Sequence, residues 1–192
     1  MSQEKEINLR AVKYTRTIYE HNSLEAIAIN QLENAKSEKE GYRFRWIIPS
    51  MAFSVFRVEA LCNIYGSQLF QHWKHFESMS LIGKVTMISE FLEIKVDFSE
   101  EPWQSLATMV KFRNTLVHAK PRKASKNYNI DKKFVHILPQ FPDSDKTIMS
   151  FSSISNAEKF EKSATNLEML WLSYTSNSKY KVDTIGRPKV SE

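Results

Sequence analysis

At 192 residues, with 42% apolar and 12% aromatic side chains and only four glycines and six prolines, the chain is long enough to bury one core. That composition excludes a disordered, fibrous or repeat protein, and a single cysteine, Cys62, excludes an intrachain disulfide and any multi-cysteine metal site. The net charge of +5 is uneven: residues 111–133 carry eight Lys/Arg against one acid, Asp131, a net +7 that leaves −2 for the rest of the chain.

Residues 1–10 are polar and charged with no apolar stretch behind them, which predicts neither a secretory leader nor an anchor and fits a cytoplasmic protein with a reduced thiol. Residues 1–22 read as an N-terminal extension. Ser23 is placed to cap a helix carrying Leu24, Ile27, Leu32 and Ala35, which ends in the charged run 36–40 before Gly41. Residues 44–65 follow with Ile48, Met51, Ala52, Val55, Phe56, Val58, Leu61, Cys62 and Tyr65, apolar on more than one face, as a central helix must be. Pro49 sits near its start and Gly66 is placed to end it. Ser50, Ser54, Arg57, Glu59 and Asn63 interrupt this stretch too often for a membrane span of ~20 apolar residues.

Residues 68–76, with Phe70, Trp73 and Phe76 at three-residue intervals, and residues 81–92, with Ile82, Val85, Ile88 and Leu92, read as two further helices. Ser99, followed by Glu100, Glu101 and Pro102, has the make-up of a helix start: a capping hydroxyl, acids against the dipole, and a proline in the first turn. That helix is predicted to run to about His118, burying Trp103, Leu106, Ala107, Val110 and Val117, with Met109, Phe112 and Leu116 widening the arc. Residues 122–154 read as an insertion, a long loop with a small hairpin around Phe134 to Leu138. Ser155 and Glu158 form a capping-box pattern ahead of a last helix with Phe160, Ala164, Leu167, Leu170, Trp171 and Tyr174 on one side. Residues 177–192 read as a loose, mildly basic tail. The expected fold is a single all-α domain, a bundle of about five to six helices.

The chemistry concentrates at Arg113, Asn114 and His118. A guanidinium holds phosphate through a planar fork of donors and an imidazole exchanges a proton near neutral pH, so the pair suits phosphodiester chemistry without a metal. Lys111, Lys120, Arg122, Lys123 and Lys126 supply the positive surface that a polyanionic backbone needs. Asn114 and His118, four apart, share a helix face, but Arg113 and His118, five apart, lie about 140° around the axis from each other. They converge if the helix frays at His118 ahead of Pro121, or if two copies meet across a twofold axis, and the second arrangement is preferred. The plainer alternative makes His118 a dipole-favoured C-terminal histidine and has Arg113 satisfy carbonyls or an acid such as Glu59. No metal site is expected, since His72 and His75 are three apart with no acid or cysteine to complete one, and both, like His136, read as structural. Glu59 and Asn63 read as an internal polar contact of the core.

Arg113-Asn114-Thr115-Leu116-Val117-His118 resembles the hallmark of the HEPN superfamily of small α-helical domains: arginine, a polar residue, and histidine at the sixth position. The likeness extends to Val58-Glu59-Ala60-Leu61-Cys62-Asn63 and to Leu81-Ile82-Gly83-Lys84, covering roughly residues 44–121, and departs where many active members follow the histidine with glycine and this chain has Ala119. The resemblance implies a metal-independent endoribonuclease without a cofactor, acting as a homodimer with a composite site, often as a toxin or phage-defence effector with a cognate antitoxin or defence partner. His118 would act as general acid/base, Arg113 as phosphate binder, and Asn114 would orient phosphate or imidazole. The competing class is a non-catalytic HEPN-like dimer that binds RNA, a nucleotide or a protein.

Overall fold

The structure is a computed structural model that describes residues 13–118, 148–176, 179–186 and 189–191. Among these residues five α-helices form the bundle: α1 (His21–Ser37), α2 (Phe44–Leu69), α3 (Leu81–Phe91), α4 (Trp103–Val117) and α5 (Ile154–Ser176). Two three-residue strands, β1 (Lys13–Thr15) and β2 (Lys189–Ser191), pair antiparallel with Lys13 opposite Ser191. The all-α expectation therefore holds.

The central place of α2 follows from its composition. Ile47, Met51, Val55, Val58, Leu61, Cys62 and Tyr65 are all buried, and α1, α3, α4 and α5 each pack on this helix. Long and apolar enough to pass for a membrane span, α2 has most of that apolar stretch buried within the protein. From α5, Phe160, Ala164, Leu167 and Trp171 complete the core. The Trp171 ring lies 5.0 Å from that of Tyr65, and its indole N–H donates to Ser89 Oγ on α3 at 3.0 Å, so one side chain joins three helices. Burying each such large apolar side chain contributes about 1.5–3 kcal/mol. Burial also pushes the Cys62 thiol well above the ordinary cysteine range.

The structure corrects several boundaries. Helix α1 starts at His21, inside the expected extension, and Glu20 precedes it without a side-chain cap, so Ser23 is not the capping residue. Helix α2 runs through Gly66 to Leu69, because the glycine serves packing: a Cβ there would lie 2.4 Å from carbons of the Trp73 ring. Residues 68–76 are not a helix but the end of α2 followed by a 3-10 turn at Trp73–His75, while α3 starts on Ser80, whose Oγ accepts from Gly83 N–H at 3.1 Å. Ser99 caps Asp97 rather than α4, donating to its carboxylate at 2.6 Å. The start of α4 is instead held by Glu101, whose carboxylate accepts from Ser105 N–H at 3.2 Å and Ser105 Oγ at 2.7 Å. For α5 the capping hydroxyl is Ser153, two residues ahead of Ser155, accepting from Asn156 N–H at 3.1 Å.

The region expected as a loose tail is tied down wherever it is described. The Gln68 side chain donates to Asp183 O at 2.9 Å and accepts from Asp183 N–H at 2.8 Å, Tyr180 packs against Phe91 with rings 4.8 Å apart, and β2 pairs with β1. Of the expected insertion, Ile148–Phe151 forms a 3-10 turn and the hairpin falls outside the described residues.

Candidate functional site

The buried stripe of α4 is Trp103, Leu106, Met109 and Phe112, which places this helix against the core and fixes its outer face. Val117, expected inside, is 54% exposed, because it lies in the last turn of the helix, beyond the buried stretch that ends at Phe112. Phe112 anchors the turn that carries the candidate site, meeting Phe151 of the 3-10 turn and Phe160 of α5 edge to face at 5.7 and 5.6 Å. The next residue, Arg113, is half-buried, and Lys111, Asn114 and His118 are exposed.

The guanidinium of Arg113 donates to Asn114 Oδ1 at 3.4 Å, a long bond on the surface. The helix keeps its repeat to Val117, and His118 N–H donates to Asn114 O at 3.0 Å, so His118 is the capping residue of a regular end. Among the described residues neither the Arg113 guanidinium nor the His118 imidazole has an ionic partner. Within one chain Arg113 and Asn114 are brought together, and at ~100° per residue a regular helix sets position 118 about 140° around the axis from position 113. Lys120, Arg122, Lys123, Lys126 and His136 lie outside the described residues.

Glu59 does not pair with Arg113. It lies 3.9 Å from Lys84 Nζ on α3, and the same ammonium donates to Asn63 Oδ1 at 3.4 Å. Lys84 is buried, whereas Glu59 is a third exposed and Asn63 exposed, so the internal polar contact centres on the lysine at the edge of the core.

The sequence reading missed the strongest polar cluster. Arg57, 3% exposed in the middle of α2, donates to Glu168 at 2.7 Å and Thr165 Oγ1 at 2.8 Å on α5, pairs with Glu25 of α1 at 2.6 Å, and has Glu161 at 3.9 Å. Buried His21 adds its Nε2, 3.4 Å from Glu168. Among the described residues Arg57 Nε and His21 Nδ1 are buried without a partner, so the cluster is tight but incompletely satisfied there. Burial pushes the Glu168 carboxyl up, but the bonds from His21 and Arg57 outweigh it and hold the group below its ordinary value. The available signal was an arginine in the middle of the apolar stretch of α2 together with Glu161, Thr165 and Glu168 at helical spacing on another helix.

Among the described residues no group of three or more His, Cys, Asp and Glu side chains could hold a metal ion. Comparison with protein-family models, curated proteins and solved structures finds nothing that matches this chain.

Proposed function

We propose that the protein is a metal-independent endoribonuclease of the HEPN superfamily, working in the cytoplasm without a cofactor as a homodimer with a composite site. The observation that supports this is the commitment of α4: one side is locked into the core through Phe112, while Arg113, Asn114 and His118 at its end are spent on no ion pair among the described residues. In the reaction the RNA 2′-hydroxyl attacks the adjacent phosphorus as the bond to the 5′-oxygen breaks, leaving a 2′,3′-cyclic phosphate and a 5′-hydroxyl. His118 of one chain takes or returns the proton, and Arg113 neutralises the charge gathering on the non-bridging oxygens. Asn114, bonded to Arg113, orients that guanidinium or the phosphate. Lys111, with Lys120, Arg122, Lys123 and Lys126, guides the RNA backbone. The place of such an enzyme is toxin–antitoxin pairing or phage defence, with a cognate antitoxin or defence partner.

The divergence of Arg113 and His118 within one chain favours a second reading, a non-catalytic dimeric module that binds RNA or a protein. The deciding experiment incubates the wild-type protein and His118→Ala with end-labelled RNA in EDTA. Cleavage to cyclic-phosphate ends that disappears in the variant supports the nuclease. Folded wild type that binds RNA and leaves it intact supports the module.

A further inference from the structure

Among the described residues no helix covers the face of α2 between α1 and α3. At ~100° per residue, Arg45, Ile48, Ala52, Phe56 and Glu59 fall within an arc of about 80°. Arg45 is 53% exposed at its side chain, Phe56 is 39% exposed and Glu59 33% exposed at its side chain; Ile48 is partly buried, and Ala52, 9% exposed, is the small residue between them. The row is apolar in the middle and oppositely charged at its ends.

The row is also symmetric. Arg45 and Glu59 stand seven residues to either side of Ala52, and Ile48 and Phe56 stand four to either side. A second copy of α2 laid antiparallel and crossing at Ala52 therefore brings Ile48 against the partner's Phe56 and Arg45 against the partner's Glu59, twice each. A small residue at the crossing lets the backbones approach, as interdigitating helices require. A contact that returns the same pairs on reversal is what a twofold demands of a single surface. Side-chain order suits the pairing. Arg45 is held by Glu38 and lies 5.5 Å from the ring centres of both Tyr42 and Trp46, which fixes the guanidinium while leaving donors free. Among the described residues Glu59 has only the 3.9 Å contact with Lys84, so its carboxylate keeps oxygen lone pairs to offer.

We propose that this face of α2 is the twofold contact between two copies of the chain, with Ala52 on the axis and Arg45 paired to the partner's Glu59. The inference deepens the nuclease reading by naming the surface that supplies its second copy, and it rests on that reading only for what the dimer is used for.

The test uses the full chain. Sedimentation velocity at tens of micromolar should show a dimer for the wild type. Arg45→Glu should weaken it at least tenfold, and Arg45→Glu with Glu59→Arg should restore it, although each change also breaks a bond within the chain. Ala52→Cys should form a disulfide-linked dimer on mild oxidation, because residues on the axis come within the ~5.5–6 Å between α-carbons that a disulfide spans, and buried Cys62 should stay out of it. Circular dichroism of each variant separates loss of folding from loss of assembly, and the charge pair remains decisive if the cysteine variant unfolds. A monomeric wild type overturns the proposal, as does a dimer that neither cross-links at residue 52 nor responds to the charge changes. RNA cleavage is measured on the same samples: a cross-linked dimer that does not cut leaves the interface and removes the nuclease, and a cutting dimer indifferent to these variants does the reverse.

Discussion

Gly66 and Trp73 are in contact that only a hydrogen on the α-carbon allows: a methyl group at residue 66 would sit 2.4–2.5 Å from three carbons of the buried indole. The glycine is in ordinary helical backbone within α2, so its role is space. Gly66→Ala should displace Trp73 and destabilise the fold by about 1–3 kcal/mol, as overpacking does. A urea titration followed by tryptophan fluorescence checks this, with Gly83→Ala as a comparison at a site whose nearest neighbour, the flexible end of Met79, is 3.1 Å away.

Arg57→Ala should be among the most damaging substitutions in the chain. It leaves Glu25, Glu161 and Glu168 without their shared cation, and removing one partner from a buried ion pair costs about 3–5 kcal/mol. Chemical denaturation measures the loss directly. Arg57→Lys should recover only part of it, since one ammonium cannot reach Glu25, Thr165 and Glu168 with the fork that now does.

The same cluster sets a dependence on acid. The folded protein holds the Glu168 carboxyl below its unfolded value near 4.5, so the folded state favours the ionised form. That stabilisation is present above the unfolded value and is lost as pH falls through the folded one. Thermal melts between pH 7 and pH 3 should show stability falling on acidification, and Glu168→Gln should flatten the fall while lowering stability at pH 7.

Cys62 should be inert in the native protein. It is fully buried, and burial raises its thiol far from the reactive thiolate range. A disulfide reagent added to folded protein should titrate nothing until denaturant is present, and a fast native reaction would disprove the packing around α2.

At α4, His118→Ala should change stability by less than about 0.5 kcal/mol, since it removes an exposed side chain without partners among the described residues. If the proposed mechanism is correct, the same change lowers the cleavage rate by about 10²–10⁴, the range for losing a general acid or base. Calorimetry and a labelled-RNA assay on one preparation read the two effects separately.

How much of this was legible in the sequence depended on whether the relevant partners are close along the chain. Apolar periodicity located all five helices and identified α2 as central, because a helix surrounded by others must be apolar on several sides. The end of α4 at His118 and the buried Phe112 were readable for the same reason. Turn chemistry was not: Ser99, Gly66 and Ser155 each belong to a residue type that starts or stops helices, and each is used otherwise, by Asp97, by Trp73 and by displacement to Ser153. Partners far apart in sequence were also invisible. Nothing near Asp183 announces Gln68, 115 residues earlier, and the spacing of Glu161, Thr165 and Glu168 marks a polar helix face without saying that Arg57, 111 residues before Glu168, is what it meets. The Arg113-Asn114 pair was legible as composition, while its separation from His118 followed from helix geometry alone.

The order in which the chain is made gives the Arg57 cluster a kinetic consequence. Helices α1 and α2 are consecutive and pack most extensively of all, so they can meet early, when Glu25 is the only anion at hand. The remaining anions arrive with α5, more than a hundred residues later, after a long loop has closed at an entropic cost. Until then a half-neutralised guanidinium faces water along the seam that α5 will fill. The last helix is thus a checkpoint: a nascent or truncated chain ending before Glu161 has α1 to α4 but leaves Arg57 with Glu25 as its one partner from this cluster.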